Sequence, residues 1–182
     1  AVVQAGFSNQ SFQREDYFDQ AQNPISETAN LAGGYVKGGA NYNLDEASNV
    51  FFNAGFISRQ PNFGGVFPSY ANNINDELQN EEITSFELGY GYNSDVLTLN
   101  ANVYATTWGN RFRSLSLTNA QGIDGFAQFR DIDVQHNGVE LEGVYRPTNR
   151  LKVKGALSVG DWRYTKNFDA ELFDDQQQSI GT

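Results

Sequence analysis

The sequence has no cysteine, only 4 prolines, a single histidine, 12 Lys and Arg against 22 Asp and Glu, and no long apolar run. Each shortage closes off a class of protein. Without cysteine there is no disulfide framework, no thiolate nucleophile and no cysteine-based metal site. With His136 as the lone histidine, neither a multi-histidine metal centre nor a Ser-His-Asp triad finds recognisable partners. The formal charge of −10 argues against a surface that neutralises phosphates, so nucleic acid is not an expected partner. No stretch approaches the roughly 20 consecutive apolar residues that a membrane-spanning helix needs.

What is present points to β-structure. The 182 residues include 14 Phe, 9 Tyr and 18 Gly, with much Asn and Gln beside them. A mean hydropathy of −0.53 would ordinarily be read as soluble. That inference does not hold for a β-barrel, whose strands show lipid only every second side chain.

Period-two alternation runs through the chain. From Thr84 to Tyr92, Thr84, Phe86, Leu88, Tyr90 and Tyr92 oppose Ser85, Glu87, Gly89 and Gly91. Leu97, Leu99, Ala101, Val103 and Ala105 then alternate with Thr98, Asn100, Asn102, Tyr104 and Thr106. Val139, Leu141, Gly143 and Tyr145 precede the turn at Pro147, and Leu151, Val153, Gly155, Leu157 and Val159 follow it. Val50, Phe52, Ala54 and Phe56 mark a further strand, although Phe51 and Ile57 weaken its polar side. With 1 to 14 (Val3, Ala5, Phe7) and 33 to 44 (Val36, Ala40, Tyr42), the expectation is about seven strands.

The connections alternate in length. Short turns fall near 44 to 49, 93 to 95 and 146 to 150, and long polar loops are expected at 15 to 32, 60 to 82 and around 113 to 127. Segments 15 to 32, 60 to 82 and 167 to 182 each carry four Asp or Glu and read as solvated loops. This is an antiparallel up-and-down meander with one smooth and one elaborate end, the asymmetry of outer-membrane barrels.

The stretch from Glu81 through Phe86-Glu87-Leu88-Gly89-Tyr90, its short Asn-Ser-Asp turn and the strand to Tyr104 resemble the late-barrel region of TonB-dependent outer-membrane receptors. So does Asn137-Gly138-Val139-Glu140-Leu141-Glu142-Gly143, which resembles that family's G-V-E-L-E strand. The resemblance implies an all-β fold forming part of a 22-stranded transmembrane barrel, plugged by a separate domain. It also implies residence in the bacterial outer membrane and active uptake of a scarce ligand such as a siderophore, glycan, peptide or cofactor. The implied partners are lipid, the remainder of the barrel and its plug, TonB through the plug region, and in some importers a surface lipoprotein.

Ala1 opens inside a strand-like run and Thr182 closes a polar stretch, so residues 1–182 are expected to be a barrel segment without the plug. Two other readings stay open. A passive porin-like or structural barrel would share the strands, and a soluble β-rich adhesin or carbohydrate-binding module would bury both sheet faces.

Candidate functional residues follow from position. Trp108, Trp162 and Tyr164 fall at outer strand ends, as girdle residues or as the lining of a ligand vestibule; alternation puts them on the non-lipid face, which favours the vestibule, and a bulge would reverse that face. Phe63, Phe67 and Tyr70 lie in an Asn-rich loop that reads first as an ordinary surface loop and, alternatively, as one that stacks its aromatics on a substrate. Glu87, Glu140 and Glu142 face the lumen, and the resemblance implies that they meet the plug. Tyr90, Tyr92 and Tyr145 suit an aromatic girdle at the short-turn end. The acidic run from Asp131 to Glu142 superficially has calcium-loop spacing. It lacks the required Gly, with His136 in that place, and reads better as strand. No metal ligand set, cofactor site or catalytic residue is expected, and the chain reads as non-enzymatic.

Overall fold

A computed structural model describes residues 1–18, 21–67, 72–75, 77–118, 122, 124–174 and 178–182. The described chain is almost entirely antiparallel β-sheet. Its strands are β1 (Val2–Phe12), β2 (Ala29–Asn43), β3 (Ser48–Arg59), β4 (Glu81–Asn93), β5 (Leu97–Thr118), β6 (Asp124–Thr148), β7 (Leu151–Tyr164), β8 (Ala170–Asp174) and β9 (Ser179–Gly181). One short helix, α1 (Phe63–Val66), interrupts them. The strands pair in chain order from β1 to β6, as a meander must. β6 then divides its free edge, pairing with β7 over its inner part and with β8 over its outer part, and β9 follows β8.

Two of the expected loops are strand. The segment around 113 to 127 is mostly a hairpin, in which β5 continues to Thr118 and β6 begins at Asp124. Its residues alternate, and Phe126 stacks on Phe173 of β8 at 4.6 Å, a contact that an open loop could not hold. Residues 167 to 182 likewise contain β8 and β9, so the described strands number nine, above the expected seven. β5 and β6 run to 22 and 25 residues, whereas about 9 to 11 cross a bilayer, so each is long enough to cross one and extend well past it.

Registers fix the faces. Directly opposed residues share a face, and one row reads Val36, Phe56, Thr84 across β2, β3 and β4. A second reads Ala40, Phe52, Leu88, Val103, Val139, Val159 across β2 to β7. The apolar sets of six strands therefore merge into one continuous surface. Phe86, Leu88, Val139 and Leu157 on it are between 51% and 61% exposed. In water that much contiguous exposed hydrocarbon would drive association. Facing lipid it is solvated.

The opposite face is polar and has no second sheet above it. Buried apolar residues among those described are only Ala29, Val66, Phe67, Ala127, Ile132 and Val134. They sit toward the long-loop end, where α1 and its loop fold back over Phe12 and Leu31. The two-sided burial of a soluble sandwich is absent from this sheet.

The short connections are tight. In the β2–β3 turn the Asp45 carboxylate accepts from the Ala47 and Ser48 amides, both at 2.8 Å. In the β4–β5 turn the Ser94 hydroxyl accepts from the Leu97 amide at 3.1 Å. At the other end the β5–β6 ladder slips between Trp108 and Arg113, and Asn110 and Asp131 adopt φ of 57° and 53°. Asn and Asp are the side chains that tolerate this left-handed backbone best. The Asp133 carboxylate stabilises the bulge, accepting from the Asn110 amide at 3.1 Å and pairing with Lys166 at 2.9 Å.

Candidate lumen and vestibule site

The polar face carries two kinds of apparatus, at two heights. Midway along the strands, Asn53, Glu87, Asn102 and Glu140 occupy neighbouring positions on β3, β4, β5 and β6. The Asn53 amide donates to one Glu87 oxygen at 2.9 Å and the Asn102 amide donates to the other at 2.7 Å. Asn102 also reaches Glu140 at 3.4 Å. Amides between carboxylates keep two negative charges side by side on a sheet where they would otherwise repel. Beside Glu87 an open hollow of about 730 Å³ is lined by Lys37, Phe51, Asn53, Ile57 and Ile83. Glu142 lies opposite Asn100 and Ala156 on the same face.

Glycines make room for large side chains here. A Cβ on Gly89 would fall inside the Phe51 ring, and one on Gly138 would overlap Tyr104. The aromatic ring covers backbone that a glycine leaves bare.

Toward the long-loop end the face becomes aromatic. Trp108 opposes Ile83 and Val134, and Val134 opposes Tyr164, so Trp108 and Tyr164 share a level, with Trp162 one row inward opposite His136. The bulge that would have turned Trp108 outward begins only after it. The Arg59 and Arg111 guanidiniums lie over the Trp108 ring, 5.1 and 4.3 Å from its centroid. Glu81 accepts the Trp108 Nε1–H at 3.2 Å and pairs with Arg59. Trp162 donates to the Tyr104 hydroxyl at 3.1 Å and its ring lies 5.8 Å from that of His136. Tyr164 continues into Phe168 at 5.1 Å.

The loop aromatics divide. Phe67 is only 3% exposed in the small core, where its ring holds the loop rather than facing solvent. Phe63 is 44% exposed and bridges Phe12 and Phe67. Tyr70 lies outside the described residues. The structure thus brings Phe63 and Phe67 together, and Trp108, Trp162 and Tyr164 onto one face. Asp131 to Glu142 lies wholly within β6, and no group of three or more metal-ligating side chains occurs among the described residues.

Arg59, Arg111, Tyr104 and the two amides Asn53 and Asn102 were not singled out by sequence reasoning. Alternation gave their faces in part, but only register sets which residue stands beside which.

A one-layer sheet with a continuous apolar face, a polar opposite face and loops sorted by length defines a segment of a transmembrane β-barrel. The family described as TonB dependent receptor-like, beta-barrel, matches residues 6–181, and the chain belongs to it. Outer-membrane transport proteins make up that family. Among solved structures, the copper transporter OprC superposes on 93% of this chain with a TM-score of 0.65 at 19% identity. The chain spans 28% of that transporter's length. No curated protein matches the sequence.

Proposed function

We propose that this segment serves TonB-dependent uptake of a scarce ligand across the bacterial outer membrane. The observation that carries the reading is the pairing of family membership with a lumen face bearing the Asn53–Glu87–Asn102–Glu140 row. A carboxylate row held by amides keeps charge available toward the lumen, where a plug supplied by another part of the protein would present donors to Glu87, Glu140 and Glu142. Trp108, Trp162 and Tyr164, with the exposed Phe63 on the loop that Phe67 anchors from its small core, form the ligand vestibule. Rigid aromatic faces flanked by guanidiniums suit a siderophore, glycan, peptide or cofactor by stacking and charge-assisted hydrogen bonds. The chain breaks and makes no bond in this scheme.

The test uses cells expressing the full-length parent, with and without TonB, and a panel of ferric siderophores, oligosaccharides and cobalamin as probes. Uptake of at least one probe that needs both the parent and TonB supports the reading. Uptake that needs the parent but survives loss of TonB would make it a passive porin-like barrel instead.

A further inference from the structure

One row of the polar face is out of keeping with a wet wall. Across β2 to β6 it runs Tyr35, Ile57, Ile83, Trp108 and Val134, each opposite the next. Polar or small residues bound it on both sides, with Gly55, Ser85 and Thr106 toward the short turns and the Arg59 and Glu81 pair toward the long loops. Ile57 is 39% exposed. Each of β2 to β6 is paired along both edges at this level, so that exposure is toward the lumen and owes nothing to an open edge. The hollow of about 730 Å³ beside Glu87 reaches up to Ile57 and Ile83, so the belt borders open space.

Arg111 sets a charge against this belt. Strict alternation would send it to the face opposite Trp108. The ladder slips between the two, and Arg111 comes to stand opposite Ile132, two residues along β6 from Val134 and on the same face. The left-handed Asn110 marks the slip, and the Arg111 guanidinium lies over the Trp108 ring at 4.3 Å from its centroid. Bulges beside functional sites re-aim side chains in this way. The charge is also left over. Arg59, the second guanidinium over that ring, is paired with Glu81, and Asp133 is paired with Lys166. No carboxylate among the described residues pairs with Arg111. β4 and β6 flank β5, so no further strand reaches it.

We propose that Arg111 and the Ile57–Ile83–Trp108 belt select, as the vestibule's ligand, an amphipathic anion: a carboxylate carried on an apolar body. The proposal narrows the vestibule reading above and rests on it. A guanidinium held against an indole keeps its N–H edge free and fixed in direction, which suits two parallel hydrogen bonds to a carboxylate. One uncompensated cation matches one carboxylate, whereas a phosphate monoester would bring about −1.5 to −2. The apolar body lies across Ile83 and Ile57, about 5 and 10 Å from Trp108 across the strands, and displaces water from them. A neutral glycan would leave the guanidinium unmatched and set its hydroxyls against isoleucine.

The measurement is fluorescence titration of the full-length parent in lipid nanodiscs, with empty discs subtracted, using dansylglycine and its uncharged amide as matched probes. Dansylglycine should bind saturably and about tenfold more tightly than the amide, the size of a charge-assisted hydrogen bond. Arg111→Gln should abolish that preference, and Arg111→Lys, which keeps the charge but not the fork, should retain part of it. Ile57→Asn should weaken both probes alike. Heat-modifiable mobility on electrophoresis shows that each variant has folded. Absence of saturable binding, or equal binding of the two probes, overturns the proposal. A preference that survives Arg111→Gln and disappears in Lys37→Gln, the other cation bordering the hollow, moves the anion to β2 and overturns it as well. The titration needs no TonB. Its failure with TonB-dependent uptake intact removes the anion alone, whereas uptake that survives loss of TonB removes the transport reading and leaves the probe preference standing.

Discussion

Glu87 accepts from two amides, Asn53 and Asn102, one on each carboxylate oxygen. Replacing it by Ala leaves both donors to water, and its partial exposure keeps the expected loss near 1 kcal/mol. Glu87→Gln, which retains one acceptor oxygen, should lose less, and urea titration of the full-length parent followed by tryptophan fluorescence distinguishes the two. An unchanged midpoint for Glu87→Ala would remove the row from the stabilising contacts. Gly138 gives a sharper test. A leucine there displaces the Tyr104 ring and breaks its hydrogen bond from Trp162, so the emission of Trp162 should shift toward that of a water-exposed indole. No shift would mean that Tyr104 does not depend on the bare backbone beneath it. At this scale alternation put Glu87 and Glu140 on one polar face. The amides that hold them were not legible, because a hydrogen bond between strands depends on register.

At the scale of the strand, one residue of displacement exchanges lipid for lumen. Spin labels along β5 should therefore show lipid-type quenching at Leu97, Leu99, Ala101 and Val103 and water-type quenching at Asn100 and Asn102. Quenching of one type at both sets would contradict the register. Val103→Arg should cost about 2 to 4 kcal/mol if Val103 lies near the bilayer midplane, whereas Asn102→Ala on the lumen face should cost far less. Unfolding of the parent in liposomes compares them. The β2–β3 turn carries a pH dependence. The Ala47 amide above all, helped by the Ser48 amide and hydroxyl, holds the Asp45 carboxyl below the usual carboxylate range against the opposing effect of desolvation. A lowered folded value means that this support is complete above the ordinary Asp value of about 3.9 and is lost as pH falls through the lowered one. Amide exchange at Ala47 and Ser48 should accelerate only below that range, and Asp45→Asn should remove the pH dependence. The outer ends of β5 and β6 were the weak point of the sequence reading. Ser, Thr and Gly between 114 and 125 suggested a loop, although Leu115 and Leu117 alternate with Ser114 and Ser116 and the ladder continues through them.

The described sheet is one layer, with β1 open at one edge and β7 and β9 at the other. Open edges leave backbone donors and acceptors unpaired, which lipid cannot satisfy. A peptide of residues 1–182 alone should thus fail to give a closed, heat-modifiable monomer on refolding into detergent. A monomeric, heat-modifiable species on electrophoresis would show that the segment closes on itself. The sequence by itself determined the class of strand, the apolar face and the positions of the short turns, because each is written in local alternation and turn chemistry. It also carried the two glutamate-bearing motifs by which the chain resembles its family. Only the tertiary structure decided that β6 serves two partners, that the bulge falls beyond Trp108, and that Arg111 joins Trp108 on one face. Those facts depend on which residues stand opposite across strands far apart in sequence, and the period of two along a single strand contains no information about its neighbour's register.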